Sequence, residues 1–250
     1  MNAEQETKPT QLDTIQRLDL AKRLASGLVG WMHSMSARMC GHLADEDAAR
    51  LEVCQILHAQ RTAFYIRKNV IPVAWKERDR HLDVGLGTLK DNDPTYFGAV
   101  ELKWSSTAAS SSVRVDIVQD IARLVAVNPD KPAIRFLLAG GDLDLDEIFV
   151  EEHHNATVKN QRDFLHDLLA QKLNDPNRSV ALADLQSVFS NCFNRLPASA
   201  SREYSAIKTT LLADAKLDRS WNDPDRTDGV VVETFGRVRV WQVDPDLIQR

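Results

Sequence analysis

Two acids and one base stand close together in two stretches that are otherwise apolar and glycine-bearing. Asp83 lies in Arg80-His81-Leu82-Asp83-Val84-Gly85-Leu86-Gly87, and Glu101 and Lys103 lie in Tyr96-Phe97-Gly98-Ala99-Val100-Glu101-Leu102-Lys103-Trp104. Both stretches read as strands, and side chains two apart on a strand share a face. Glu101 and Lys103 then point one way with Phe97 and Ala99, while Val100, Leu102 and Trp104 point the other way into a core. In the first stretch Leu82, Val84 and Leu86 share one face, and His81, Asp83, Gly85 and Gly87 share the opposite one, where glycines leave room for something to approach. A carboxylate and an ammonium on a partly covered strand face need a chemical reason. Two hard oxygen donors with a cation beside them can hold a divalent metal against a phosphodiester.

The elements that must position these residues follow from local pattern. The stretch 90–95, Lys-Asp-Asn-Asp-Pro-Thr, is turn-rich, so the two strands are expected as an antiparallel hairpin that brings Asp83 to Glu101. Ala49, Val53, Ile56, Leu57 and Gln60 recur at helical spacing over 46–61, with Asp45 as the N-cap. Residues 63–75 supply one further strand, which Pro72 pushes toward a sheet edge. After Lys103 a Ser-rich loop leads to a helix over 113–127 with Ile117, Ile121, Leu124 and Val125 as its apolar stripe. The run 132–139 is nearly all apolar and ends at Gly140-Gly141, as a strand covered on both faces would.

With these residues in place, the region from Asp45 to Gly141 resembles the PD-(D/E)XK nuclease superfamily, in which an Asp near the end of one strand precedes Glu-X-Lys on the next. Asp83, Glu101 and Lys103 match position by position, and Leu82 stands where the name-giving proline would be. The resemblance implies an α/β fold with a restriction-endonuclease-like α-β-β-β-α-β core. It also implies Mg²⁺ or Mn²⁺ held by Asp83 and Glu101 with the Leu102 carbonyl, and Lys103 beside the attacking water. The implied activity is hydrolysis of phosphodiester bonds, in DNA ahead of RNA. Metal coordination lowers the pKa of bound water, and a lysine there orients or helps deprotonate the nucleophile.

Other polar residues sit near this set. Glu46, on the first helix of the core, is a further candidate acid, whereas Glu52 reads as a surface residue. Glu77 falls in the charged stretch Lys76-Glu77-Arg78-Asp79-Arg80 and reads first as solvated. Gln119 is followed four residues later by Arg123, where the exonuclease-like branch of the superfamily often has Tyr, and this argues against that branch.

A net charge of −5 over 250 residues gives no global basic field for nucleic acid. Contact with a polyanion must be local, and residues 61–80 offer Arg61, Arg67, Lys68, Lys76, Arg78 and Arg80 against Glu77 and Asp79. Asp142-Leu143-Asp144-Leu145-Asp146 starts like a calcium loop, but Glu147 replaces the required glycine and His153 the closing glutamate. His153-His154 lacks second-pair zinc spacing. Cys40, Cys54 and Cys192 form no CxxC pair, which predicts a reducing, cytoplasmic setting. The polar start and the lack of a transmembrane-length run predict no membrane partner.

An amphipathic helix over 15–43 carries Leu18, Ala21, Leu24, Leu28, Trp31 and Met32. In the second half 160–173, 180–196 and 201–217 show helical apolar spacing, and 230–234 and 238–243 read as a terminal hairpin turning at Phe235-Gly236-Arg237. The expected organisation is an N-terminal tail and helical region (1–43), a nuclease-like core (44–150) and a helical extension with a terminal β-hairpin (151–250), packed as one domain. The competing expectation is a catalytically silent binding module of the same shape, immunity or regulatory in role, with a protein partner or a homodimer in place of a substrate.

Overall fold

Asp45 starts a helix because its carboxylate accepts the Ala48 N–H at 2.8 Å while its carbonyl accepts the Ala49 N–H at 3.0 Å, as an N-cap does. This is α2 (Glu46–Ala59), and α1 (Thr14–Ala37) precedes it. The computed structural model describes residues 14–38, 45–59, 65–70, 81–90, 93–105, 111–125, 127, 133–141, 160, 163–165, 168–169, 177–189, 204–222 and 230–247. Within them lie the strands β1 (Tyr65–Val70), β2 (Leu82–Lys90), β3 (Asp93–Ser105), β4 (Ile134–Gly141), β5 (Asn177–Ala181), β6 (Tyr204–Asn222) and β7 (Val230–Leu247). Two more helices are α3 (Ser111–Val125) and α4 (Leu182–Val188).

The fold is α/β: one mixed sheet in the order β1-β2-β3-β4-β7-β6-β5, flanked by helices. Among the described residues only β3 and β4 run parallel, which requires the crossover that α3 supplies; the other pairings there are antiparallel. β1 is an edge strand, as the sequence predicts. α1 and α2 bury Leu24, Leu28, Val53 and Leu57 against Val84, Val100, Leu102 and Phe136 on one face. α3 and α4 bury Ile121, Leu124 and Leu185 against Leu137, Trp241 and Ile207 on the other. β4 is buried along its whole length between these layers, so its continuous apolar run is what two-sided cover requires.

Alternation along β2 and β3 is broken in two places. The register steps from Leu86↔Gly98 to Gly87↔Tyr96 and passes over Phe97. A β-bulge re-aims a side chain, and Phe97 packs with the α1–α2 layer while Ala99 packs with the α3 layer. The expected sharing of a face by Phe97 and Glu101 is therefore wrong. Leu82 likewise leaves Val84 and Leu86 and joins the α3-side core, at the first residue of β2 and beyond its last pairing with β3. Gly87 is needed because a Cβ there would lie 2.6 Å from the Thr95 carbonyl oxygen; this glycine serves the bulge, not ligand access.

The second half departs further from expectation. Residues 201–217 were expected as a helix, yet 204–222 form β6, which pairs with both β5 and β7. The strand's period of two is broken because the register shift between Leu211 and Ala213 moves the odd-numbered positions from the α3-side face, where Ile207 and Leu211 pack, to the α1-side face, where Ala213, Ala215 and Leu217 pack. Residues 180–196 were expected as one helix; the chain finishes β5 at Ala181 and α4 covers only Leu182–Val188. No turn occurs at Phe235-Gly236-Arg237, since β7 runs unbroken from Val230 to Leu247. Gly236 instead faces α1, where a Cβ would meet the Met32 methyl group. The hairpin is the larger one between β6 and β7. The stretch expected as a helix over 160–173 is helical at 160, 163–165 and 168–169, its described residues. Among the described residues no helix is long and apolar enough to cross a membrane.

Candidate active site

Past Val84↔Val100 the β2–β3 ladder stops, while β3 continues beside β4 through Ser105↔Gly141. The edge of β3 facing β2 is thus left with backbone groups to satisfy, and carboxylates do so. Asp83 Oδ2 accepts the Leu102 N–H at 2.8 Å, and Glu46 Oε2 accepts the Trp104 N–H at 3.1 Å. An extended residue sends its N–H and C=O to the same edge, so the Leu102 carbonyl opens toward the side where Asp83 sits.

Asp83 occupies the split between the strands and is reached from both layers. From α2, Arg50 Nη2 lies 3.0 Å from its Oδ1. Arg50 also pairs with Glu46 at 3.4 Å and with Asp47. From β3, the Glu101 carboxyl lies within hydrogen-bonding reach of Asp83. The two sequence-predicted acids therefore converge.

Glu101 points toward α3 and is fully buried, with 0% of its surface exposed. Neither of its oxygens has a hydrogen-bond donor. Two carboxylates can bond each other only when one carries a proton, since both are acceptors when ionised. Arg123 Nε stands 3.3 Å from Glu101 Oε1, an ion pair whose alignment is too poor for a hydrogen bond. Burial first, and Asp120 next, hold the Glu101 carboxyl well above the ordinary carboxylate range, with Arg123 opposing and Asp83 adding to the rise.

Lys103 is paired with two other acids, Glu46 at 3.4 Å and Asp116 at 3.6 Å. Burial works against its charge, but Glu46, Asp120 and Asp116 outweigh that and raise its pKa. The ammonium is therefore a firm cation and a poor base.

α3 contributes residues that the sequence reading passed over. Asp120 is buried and bonded to Arg123, and burial lifts its carboxyl to about 7 against the pull of Arg123 and Lys103. Its spacing was a usable signal: Asp120 falls three residues after Ile117 and four before Leu124, squarely in the apolar stripe. Arg50 had a similar one, four residues after Glu46. Glu46, left open by sequence, belongs to the cluster, and Gln119 is half buried beside Asp120 on α3. Glu52 is partly buried on α2, where burial raises its pKa. Glu77, the basic stretch apart from β1, the Asp142–Asp146 run and His153-His154 lie outside the described residues.

Six carboxyl groups, Asp83, Glu101, Asp120, Glu46, Asp47 and Asp116, face the three cations Arg50, Lys103 and Arg123, and burial raises the pKa of the two most enclosed, Glu101 and Asp120. Among the described residues no three His, Cys, Asp or Glu side chains stand ready as a complete metal-ligand set. Mg²⁺ commonly uses one or two protein carboxylates and keeps several waters, so Asp83 and Glu101 fit a hard divalent cation: they are adjacent, and both Glu101 oxygens lack a hydrogen-bond donor.

No protein-family model matches this chain, and no curated protein sequence matches it.

Proposed function

We propose that this protein is a metal-dependent nuclease of the restriction-endonuclease-like fold, hydrolysing phosphodiester bonds in DNA ahead of RNA. The observation that carries the reading is Glu101: a fully buried carboxylate beside Asp83, with both oxygens lacking a donor. Such a group is costly to bury unless something compensates it, and a bound divalent cation is a compensation that also does chemistry. The element order α2-β1-β2-β3-α3-β4 agrees with the order the resemblance implies, and β7, β6 and β5 widen the sheet beyond β4.

Asp83 and Glu101 would hold Mg²⁺ or Mn²⁺, with the Leu102 carbonyl on the open edge as a further oxygen. The cation supplies an acidified water and charge neutralisation at the phosphate when bound. Lys103 orients the nucleophile and offsets charge developing on phosphate oxygens as a protonated ammonium; its raised pKa removes it from the role of base. Glu46 positions Lys103 while tying down the Trp104 amide, and Arg50 fixes the carboxylate of Asp83.

A screen of DNA and RNA forms with Mg²⁺ or Mn²⁺ tests this. Cleavage is expected with at least one form, lost on chelation. Lys103→Ala should lower it by about 100-fold or more with the fold intact; undiminished cleavage by that variant removes Lys103 from the mechanism.

One observation favours a second reading, a catalytically silent nuclease-shaped binding module. Arg50 and Arg123 each already pair with one of the two candidate ligands, Asp83 and Glu101, as in a cluster closed by internal ion pairs. That reading expects a stable protein partner and no metal-dependent turnover across the same screen.

A further inference from the structure

Arg123 is the side chain whose placement the nuclease reading leaves unexplained. It rises from α3, hydrogen-bonds Asp120, and sets its Nε 3.3 Å from Glu101 Oε1. The contact with Glu101 is misaligned, and Nε is itself buried without a hydrogen-bond partner. Glu101 is sealed from solvent, whereas the Arg123 side chain keeps 27% of its surface exposed. An anchored base, a loosely made contact and an exposed flank describe a cation that can leave Glu101 without leaving the site.

We propose that Arg123 is the resident counter-cation of Glu101: it competes with the divalent metal for that carboxylate and, once displaced, turns to the phosphate of the nucleic acid. The inference rests on the nuclease reading. Asp120 keeps the guanidinium tethered in both arrangements, so the displaced group stays within reach of the polyanion that the metal serves. Guanidinium recognises phosphate through a planar fork of donors, and an unsatisfied Nε–H is available for that fork. Metal and nucleic acid then favour each other's binding, because each relieves a contact the other must break. Arg123 acts here as a positioning residue, and Glu101 remains the ligand.

The test uses the full chain and Mn²⁺ alone, with bound metal counted by the loss of the free Mn²⁺ paramagnetic resonance signal, followed by binding of a short DNA duplex at saturating Ca²⁺. Arg123→Gln should bind Mn²⁺ about tenfold more tightly than wild type and the duplex several-fold more weakly, and Arg123→Lys should fall between them. Opposite signs distinguish competition from a structural role, which would weaken both. Wild-type protein provides a variant-free check: the Arg123 Nε–Hε nuclear magnetic resonance signal should move during a Mg²⁺ titration with the midpoint of metal binding.

Equal Mn²⁺ affinity in wild type and Arg123→Gln, or an unmoved Arg123 signal at Mg²⁺ saturation, overturns the proposal and leaves the metal site standing. Mn²⁺ binding by no form of the protein overturns both the proposal and the nuclease reading. Binding by Arg123→Gln alone sustains the competition and overturns the active-enzyme reading, since Arg123 would then be a lock that the metal never opens.

Discussion

At the scale of the residue, the site is built against stability. Glu101 is buried with no donor for either oxygen and with Asp83 and Asp120 as negative neighbours. Glu101→Gln supplies an amide donor that Asp83 can accept and removes the cost of burying a charge or taking up a proton at this position. The metal-free variant is expected to be more stable than wild type by about 1 kcal/mol, in keeping with the net worth of one added hydrogen bond, while cleavage is abolished. Urea unfolding in the presence of a chelator measures the first effect; a destabilised variant would mean that the Arg123 contact outweighs the carboxylate repulsion. Lys103 shows the converse arrangement, in which acids outnumber it and fix its proton. Sequence reading identified Asp83, Glu101 and Lys103 because each interrupts a strand pattern. It passed over Asp120 and Arg50, since a single charge in a helical stripe usually belongs to a solvated face and only the opposing sheet reveals that it is enclosed.

At the scale of the element, the site depends on where strands part. β2 leaves β3 after Val84↔Val100, and α2 sends Glu46 into the opening to accept the Trp104 N–H. Under the proposed nuclease reading the start of α2 is therefore both a structural and a functional position. Asp45→Ala removes the carboxylate that caps Ala48 and should lower stability by about 1 kcal/mol. Because Glu46 and Arg50 follow within the first turns, the same change should reduce cleavage at temperatures well below the melting transition. Loss of stability with cleavage untouched at low temperature would show that α2 holds its place without the cap. The N-cap was legible from Asp45 and the apolar spacing after it. The strand divergence was not, because pairing beyond Val84 is decided by what fills the gap rather than by the hairpin residues.

At the scale of the molecule, β5, β6 and β7 are part of the central sheet rather than an appendage. β7 pairs with β4 from Phe136↔Gln242 to Gly141↔Arg237, and Trp241 is buried with its indole N–H donated to the Leu169 carbonyl at 3.2 Å. A fragment of residues 44–150 is expected to lack cooperative unfolding, measured by near-ultraviolet circular dichroism during denaturation, because β4 would lose a neighbour along most of its length. A cooperative, native-like fragment would establish residues 44–150 as a unit of their own.

The β6–β7 hairpin is pinned by Asp214, which pairs with Arg237 at 2.6 Å and with Arg239 at 3.2 Å. Burial pushes the Asp214 carboxyl up, but the Arg237 hydrogen bond and the two guanidinium charges more than reverse this and lower it. A lowered folded pKa adds stability that is complete above the unfolded value of 3.8 and lost as pH falls through the lower folded value. Asp214→Asn should cost about 3 kcal/mol at neutral pH, as loss of one partner of a buried ion pair does. That difference should shrink below pH 3.8; a gap unchanged in acid would assign the loss to packing instead.

Taken by itself, the sequence determined the helices α1, α2 and α3, the strands around Asp83 and Glu101, the enclosed strand β4 and the three residues 83, 101 and 103 as a chemical set. These are features of local period and composition, and short-range sterics and burial decide them. Tertiary structure alone decided that 204–222 would be a strand, that Gly236 would face Met32 rather than make a turn, that Phe97 would change sides, and that α3 would bring Asp120 and Arg123 to Glu101. Each depends on a partner distant in the chain, and a residue carries no local record of the surface that will cover it.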